Sequence, residues 1–141
     1  MRFPRFVLCA TAGAALALAT TAAFAQQKKA DLGRLEFESK CAVCHGKDGR
    51  GNGPFAAELK RAPTDLTTLA RRSGGMFPAP RVYDLIEGSG SGHGTREMPI
   101  WGWDFTVRAA ELYPDSPYNQ AAYVRTRISS LVEYLAQLQV K

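Results

Sequence analysis

The chain has 141 residues, 45% of them hydrophobic and 22% charged, with a formal net charge of +5. That length bounds a single globular domain and excludes a second substrate-binding domain, so one functional site is expected. Two of the positive charges, Arg2 and Arg5, stand in the first five residues, where there is no acid.

Behind that basic start, Phe6 to Phe24 is an Ala/Leu/Thr-rich run ending in Ala23-Phe24-Ala25. A basic n-region, an apolar centre and a small-x-small end, in that order, form the pattern of a cleavable secretory signal peptide. Residues 1–25 are expected to be removed after Ala25, leaving residues 26–141 as the exported, periplasmic domain. An uncleaved anchor and a lipoprotein held through Cys9 fit less well, because the run is Ala-rich for a stable span and Cys9 comes too early. Losing Arg2 and Arg5 lowers the formal charge from +5 to +3, and two cysteines remain.

Asp31 to Lys40 reads as a helix with Asp31 near its cap, and it delivers the chain to Cys41. Gly46 to Gly53 carries four glycines in eight residues and is expected to be a tight loop, since glycine costs about 1 kcal/mol per helical position and invites positive φ. Phe55 to Lys60 allows a helical turn, and Thr64 or Asp65 can cap a short helix through Arg72. Pro80 suits the first turn of a helix through Glu87, which Gly88 is placed to stop. A glycine-rich loop over residues 88–94 follows, then a helix over Asp104 to Glu111. Asn119 can cap the longest helix, reaching about Gln139. In that last segment Val124, Ile128, Leu131, Leu135 and Leu138 recur at 4, 3, 4 and 3, one stripe of a 3.6-residue period. No segment alternates as a strand does, so the expected class is all-α.

The chemistry-bearing motif is Cys41-Ala42-Val43-Cys44-His45. Two thiols two residues apart can each add to one haem vinyl group while the adjacent histidine reaches the iron, which makes this a covalent haem c site. A lone C-x-x-C pair closes too short a loop to be a useful structural disulfide, even in an exported chain. A thioredoxin-like pair opens a helix after a strand, whereas a helix precedes this one. Zinc fails by counting, because His93 is the only other soft donor of histidine or cysteine type in the mature chain.

A second axial ligand comes from Met76, Met98 or His93. Met98 is preferred, because Pro99, Ile100, Trp101 and Gly102 follow it and supply a rigid backbone and water-excluding aromatic surface. Met76 sits among Gly74, Gly75 and Pro78 and reads as a loop methionine; His93 reads as a solvated loop residue. Trp101 and Trp103 are both expected to pack in the haem pocket. Two haem propionates would offset much of the remaining +3, so bulk nucleic-acid binding is not indicated.

Taken together, these residues resemble the class I cytochrome c family, the soluble His/Met-ligated carriers, over most of residues 31–139. Gly33 and Phe37 stand eight and four residues before Cys41, as the family's glycine and aromatic do, and Leu131 with Tyr134 matches the pair in its last helix. The resemblance implies a cytochrome c fold, N- and C-terminal helices crossing over a covalently attached haem, with His45 and Met98 as axial ligands. It also implies that the Pro54 carbonyl accepts the second ring proton of His45, a bond that would fix the imidazole. The segment Asp104–Tyr118 lengthens the family pattern and is a candidate docking element.

The function so implied is one-electron transfer between redox donor and acceptor proteins, without catalysis, by a monomer making transient contact with membrane complexes. Arg61, Arg71, Arg72, Arg81 and other cations are available to steer an acidic partner. Three alternatives stay open: a haem-bearing subunit of a membrane or dehydrogenase complex, a gas- or peroxide-reactive haem protein with a labile methionine, and a haem-free thiol oxidoreductase.

Overall fold

The computed structural model describes residues 31–89 and 98–140. The signal-peptide segment and His93 lie outside the described residues. Every regular element among the described residues is helical, which bears out the all-α class. No helix there is long and apolar enough to cross a membrane.

The first helix, α1 (residues 31–45), does not stop at Lys40 but runs through the whole cysteine motif. Its middle is a π turn, Phe37–Cys41, which adds a residue to the local repeat. Such insertions cluster at functional sites because they re-aim the side chains that follow. The helix ends at Gly46, whose φ of 77° no β-carbon residue adopts easily.

A helix C-terminus leaves carbonyls without intrahelical partners. Here the glycine-rich loop supplies them: Phe55 N donates to Val43 O (2.9 Å), Gly53 N to Cys44 O (3.0 Å) and Gly51 N to His45 O (2.7 Å). The loop therefore clamps the turn that carries Cys44 and His45. Leu66 N bonds back to Gly49 O at 2.7 Å and ties the next segment to the same loop.

Beyond a 3₁₀ turn at Ala56–Glu58, Asp65 caps a second one at Leu66–Thr68, its carboxylate accepting from Thr67 N at 2.8 Å and Thr67 Oγ1 at 2.7 Å. Those bonds, with Arg50 and Arg72 nearby, hold the Asp65 carboxyl below the usual carboxylate range. A one-turn helix, α2 (Leu69–Arg72), continues from it, as the capping residues predict. α3 (Ala79–Glu87) carries Pro80 in its first turn and stops at Gly88, which is left-handed.

α4 (Trp101–Leu112) begins three residues before the expected Asp104. Gly102 packs so closely on the Glu87 carbonyl that a methyl group would collide with it, and this long-range contact, invisible to local propensity, lies at the earlier start. α5 (Pro117–Gln137) begins two residues before Asn119: the Ser116 hydroxyl accepts from Asn119 N, and Pro117 occupies the first turn.

The core lies where α1, α3 and α4 meet α5. Phe37, Phe105, Ile128 and Leu131 are buried, with Val82, Ile86, Val132 and Leu135 around them. At the meeting of α1 and α5, Gly33 lies against the Ser130 carbonyl and the Tyr134 β-carbon, and the Phe37 and Tyr134 rings are 5.3 Å apart. The buried Glu36 carboxylate pairs with Arg127 on the same side. At the far end of α5, Gln139 bonds Ala70 N and Leu66 O, and Val140 N bonds Thr67 O, so the tail closes onto α2.

Gly33 yields a prediction against the usual rule. Glycine to alanine within a helix ordinarily gains about 1 kcal/mol. In Gly33→Ala the added methyl meets backbone, which cannot swing aside, and overpacking of that kind costs about 1–3 kcal/mol. The variant is expected to be less stable than the parent in denaturant titration; a raised midpoint would contradict the close approach.

Candidate functional site

The clamped end of α1 opens onto a cavity of about 510 Å³. Cys41, Cys44 and His45 line it from α1, and Met98, Pro99 and Trp101 line it from the chain entering α4. Its apolar walls include Leu59, Leu69, Val82, Ile86, Leu131 and Leu135, contributed by elements far apart in sequence. Phe37 and Leu131, read as helix-crossing residues, also face this space.

His45 Nδ1 lies 3.0 Å from the Thr64 carbonyl oxygen. A carbonyl only accepts, so Nδ1 carries a proton, and in the neutral ring Nε2 then holds the lone pair, the tautomer a metal-ligating imidazole needs. The expected acceptor was Pro54. That residue is exposed and does not line the cavity, because the bonds from Gly53 and Phe55 hold it back against Val43 and Cys44. The bonding role falls ten residues later, where the extended segment 59–65 passes the imidazole. Thr64 carries no local signal in the sequence that would have marked it.

The two thiols are not joined in a disulfide. Burial, reinforced by Glu36, pushes the Cys41 thiol up to about 12, against a small opposing pull from Lys40. A thiol of that kind stays protonated at neutral pH and is a weak nucleophile, the reverse of a thioredoxin-like attacking cysteine. Among the described residues, no three of His, Cys, Asp and Glu come together as metal donors.

Met98 is half-buried at the cavity, whereas Met76 is 76% exposed and does not line it. Trp101 is at the cavity wall as expected. Trp103 is not: it is 69% exposed and points away, because it stands two residues on from Trp101 along α4, about 200° around a 3.6-residue helix.

Around the same cavity stand Lys40, Arg61, Arg72 and Arg81, and no Asp or Glu is among its lining residues. Arg72 is anchored by a 2.6 Å bond from Nη2 to the Asp65 carbonyl. The cavity is thus apolar inside and cationic at its edge. Lys40 had no signal in the sequence beyond being the neighbour of Cys41.

Comparison of the chain with family models, with curated proteins and with solved structures finds no match. The functional reading therefore rests on the residues and their arrangement.

Those residues fit a haem. Its macrocycle supplies four donors to iron, leaving two positions for the protein, and the cavity has one imidazole and one thioether to offer. Its size falls in the range of cofactor sites, roughly 300–1,000 Å³. Cationic side chains at the edge suit the two carboxylates that such a group carries, and the paired thiols lie on the same wall as the imidazole.

Proposed function

We propose that this chain is an exported, periplasmic one-electron carrier with a cytochrome c fold, holding a single haem c through Cys41 and Cys44. His45 and Met98 would be the residues that hold its iron. The observation that carries the reading is the convergence of Cys41, Cys44, His45 and Met98, some fifty residues apart in sequence, on one apolar cavity.

When bound, the haem supplies reversible one-electron exchange. The chain's own residues do the rest. Thr64 holds the His45 ring in one tautomer and orientation. The walls of Leu69, Val82, Ile86 and Leu135 exclude water and lower the local dielectric, and a thioether donor at Met98 favours the reduced state; both raise the reduction potential. If His45 and Met98 both held the metal, no position would be left for a substrate, and the role would be electron transfer rather than catalysis.

Arg61, Arg72 and Arg81 stand exposed at the edge of the cavity, where they complement carboxylates of the bound group and acidic residues on a redox partner. A second reading, a subunit fixed in a larger redox complex, is favoured by one feature. Ile100, Trp103 and Val107 form an exposed apolar stripe at the start of α4, leading into the segment Asp104–Tyr118 that lengthens the family pattern.

The test is potentiometric and hydrodynamic. Protein matured in a haem-attaching host is expected to titrate as a single one-electron couple, to elute as a monomer and, when reduced, to leave carbon monoxide unbound. Carbon monoxide binding by the native reduced protein would replace the carrier with a gas-reactive haem protein. Co-elution with membrane partners would select the subunit reading.

A further inference from the structure

One charge pair next to the cavity is not used by the function proposed above. Lys40 is the last residue of α1 before Cys41 and lies within the π turn. Its Nζ is 3.0 Å from Asp104 Oδ2, 5.1 Å from the centre of the Trp101 ring and 5.6 Å from that of Phe105. Lys40 borders both the main cavity and a neighbouring groove of about 330 Å³, whereas Asp104 borders only the groove. Of the two residues of the pair, only Lys40 borders the cavity.

The remaining charges of that groove have partners beyond its lining: Glu36 pairs with Arg127, and Arg108 pairs with Glu111 at 2.8 Å. The pair is also asymmetric in solvent, since the Lys40 side chain is 27% exposed and that of Asp104 is 50% exposed. Arg61, Arg72 and Arg81 border the cavity as well, but all three are exposed, and water and salt screen them. Lys40, half-buried with its ammonium over the Trp101 and Phe105 rings, is the cation of the four least exposed to that screening, and Asp104 is the charge that opposes it.

We propose that Lys40 and Asp104 act as an opposed pair of positioning residues that set the reduction potential of the site, Lys40 raising it and Asp104 restraining the rise. This rests on the haem reading above. The physical basis is that reduction lowers the positive charge of the centre by one unit, so a nearby cation favours the reduced state and a nearby anion the oxidised state. The link between α4 and the motif thereby acquires a purpose: Asp104 belongs to the helix that lengthens the family pattern.

The experiment is a redox titration of holoprotein carrying Lys40→Gln, Lys40→Arg or Asp104→Asn, at low and high salt. Lys40→Gln is expected to lower the ratio of reduced to oxidised protein at a fixed ambient potential about three- to tenfold, a fall of about 30–60 mV, tenfold being about 59 mV for one electron. Asp104→Asn is expected to move it the other way by a smaller factor that shrinks with salt, and Lys40→Arg to stay near the parent. Both neutralising variants break the same ion pair, so a merely structural pair would move the potential in one direction in both. Shifts of the same sign, or no shift beyond about 1.5-fold in either, overturn the proposal while covalent haem still stands. A parent chain that acquires no haem overturns the underlying reading, and this proposal with it.

Discussion

Replacing Cys41 and Cys44 together by alanine is expected to give a chain without covalent haem that no longer unfolds cooperatively. Phe37, Val82, Ile86, Leu131 and Leu135 belong both to the buried core and to the cavity wall, so the cofactor's space is the middle of the core rather than a side pocket. Leaving part of a core unfilled is costly, on the order of 24 cal/mol per Å³ of enclosed cavity, against a whole-domain stability of about 5–15 kcal/mol. Both cysteines are half-buried residues, with Cys41 packed against the core, and the larger loss is that of the group they would tether. Far-ultraviolet circular dichroism during heating checks this: a shallow, non-cooperative loss of helix is expected, and a native-like transition in haem-free protein would contradict it.

Met98→Ala is the second large effect. The variant is expected to keep its covalent haem, since neither thiol is touched, but to lose the near-infrared sulfur-to-iron band of the oxidised state. Its potential falls, because the thioether that favoured the reduced metal is gone. Axial ligand identity spans about 0.8 V across haem proteins, so a fall on the order of 100 mV is expected here. The reduced variant also gains carbon monoxide binding at the vacated position. Met76→Ala is the control: that side chain is 76% exposed and away from the cavity, and its removal is expected to leave spectrum and potential unchanged. A spectrum unaltered by Met98→Ala and lost in Met76→Ala would reassign the ligand.

Much of the helical framework was legible because its signals are local. Asp65 caps the turn into α2, Gly88 ends α3, and the Ile128, Leu131 and Leu135 stripe is buried, each following from a residue and its immediate neighbours. That Gly33 and Phe37 approach the last helix near Leu131 and Tyr134 was expected from the resemblance, whereas the Ser130 carbonyl against Gly33 was not named by it.

What escaped was settled by long-range contact. α4 starts at Trp101, where Gly102 lies against the Glu87 backbone, and nothing near Trp101 in sequence announces that contact. The acceptor for His45 moved from Pro54 to Thr64 because loop hydrogen bonds decide which passing segment lies beside the imidazole. Trp103 was assigned to the pocket with Trp101, but helical rotation over two residues turns it outward. Of the site itself, Cys41, Cys44, His45, Met98 and Trp101 were nameable from the chain, whereas the roles of Thr64 and Lys40 emerge only once the loop and α4 are in place.

The central claim is that the motif at the end of α1 holds one haem covalently. Its most direct test is intact mass together with pyridine haemochrome analysis of the full chain, produced in a host that attaches haem to exported proteins. The account predicts one haem per chain, bound through both Cys41 and Cys44 and resistant to acid extraction. A purified chain with two free thiols and no haemochrome spectrum would contradict it.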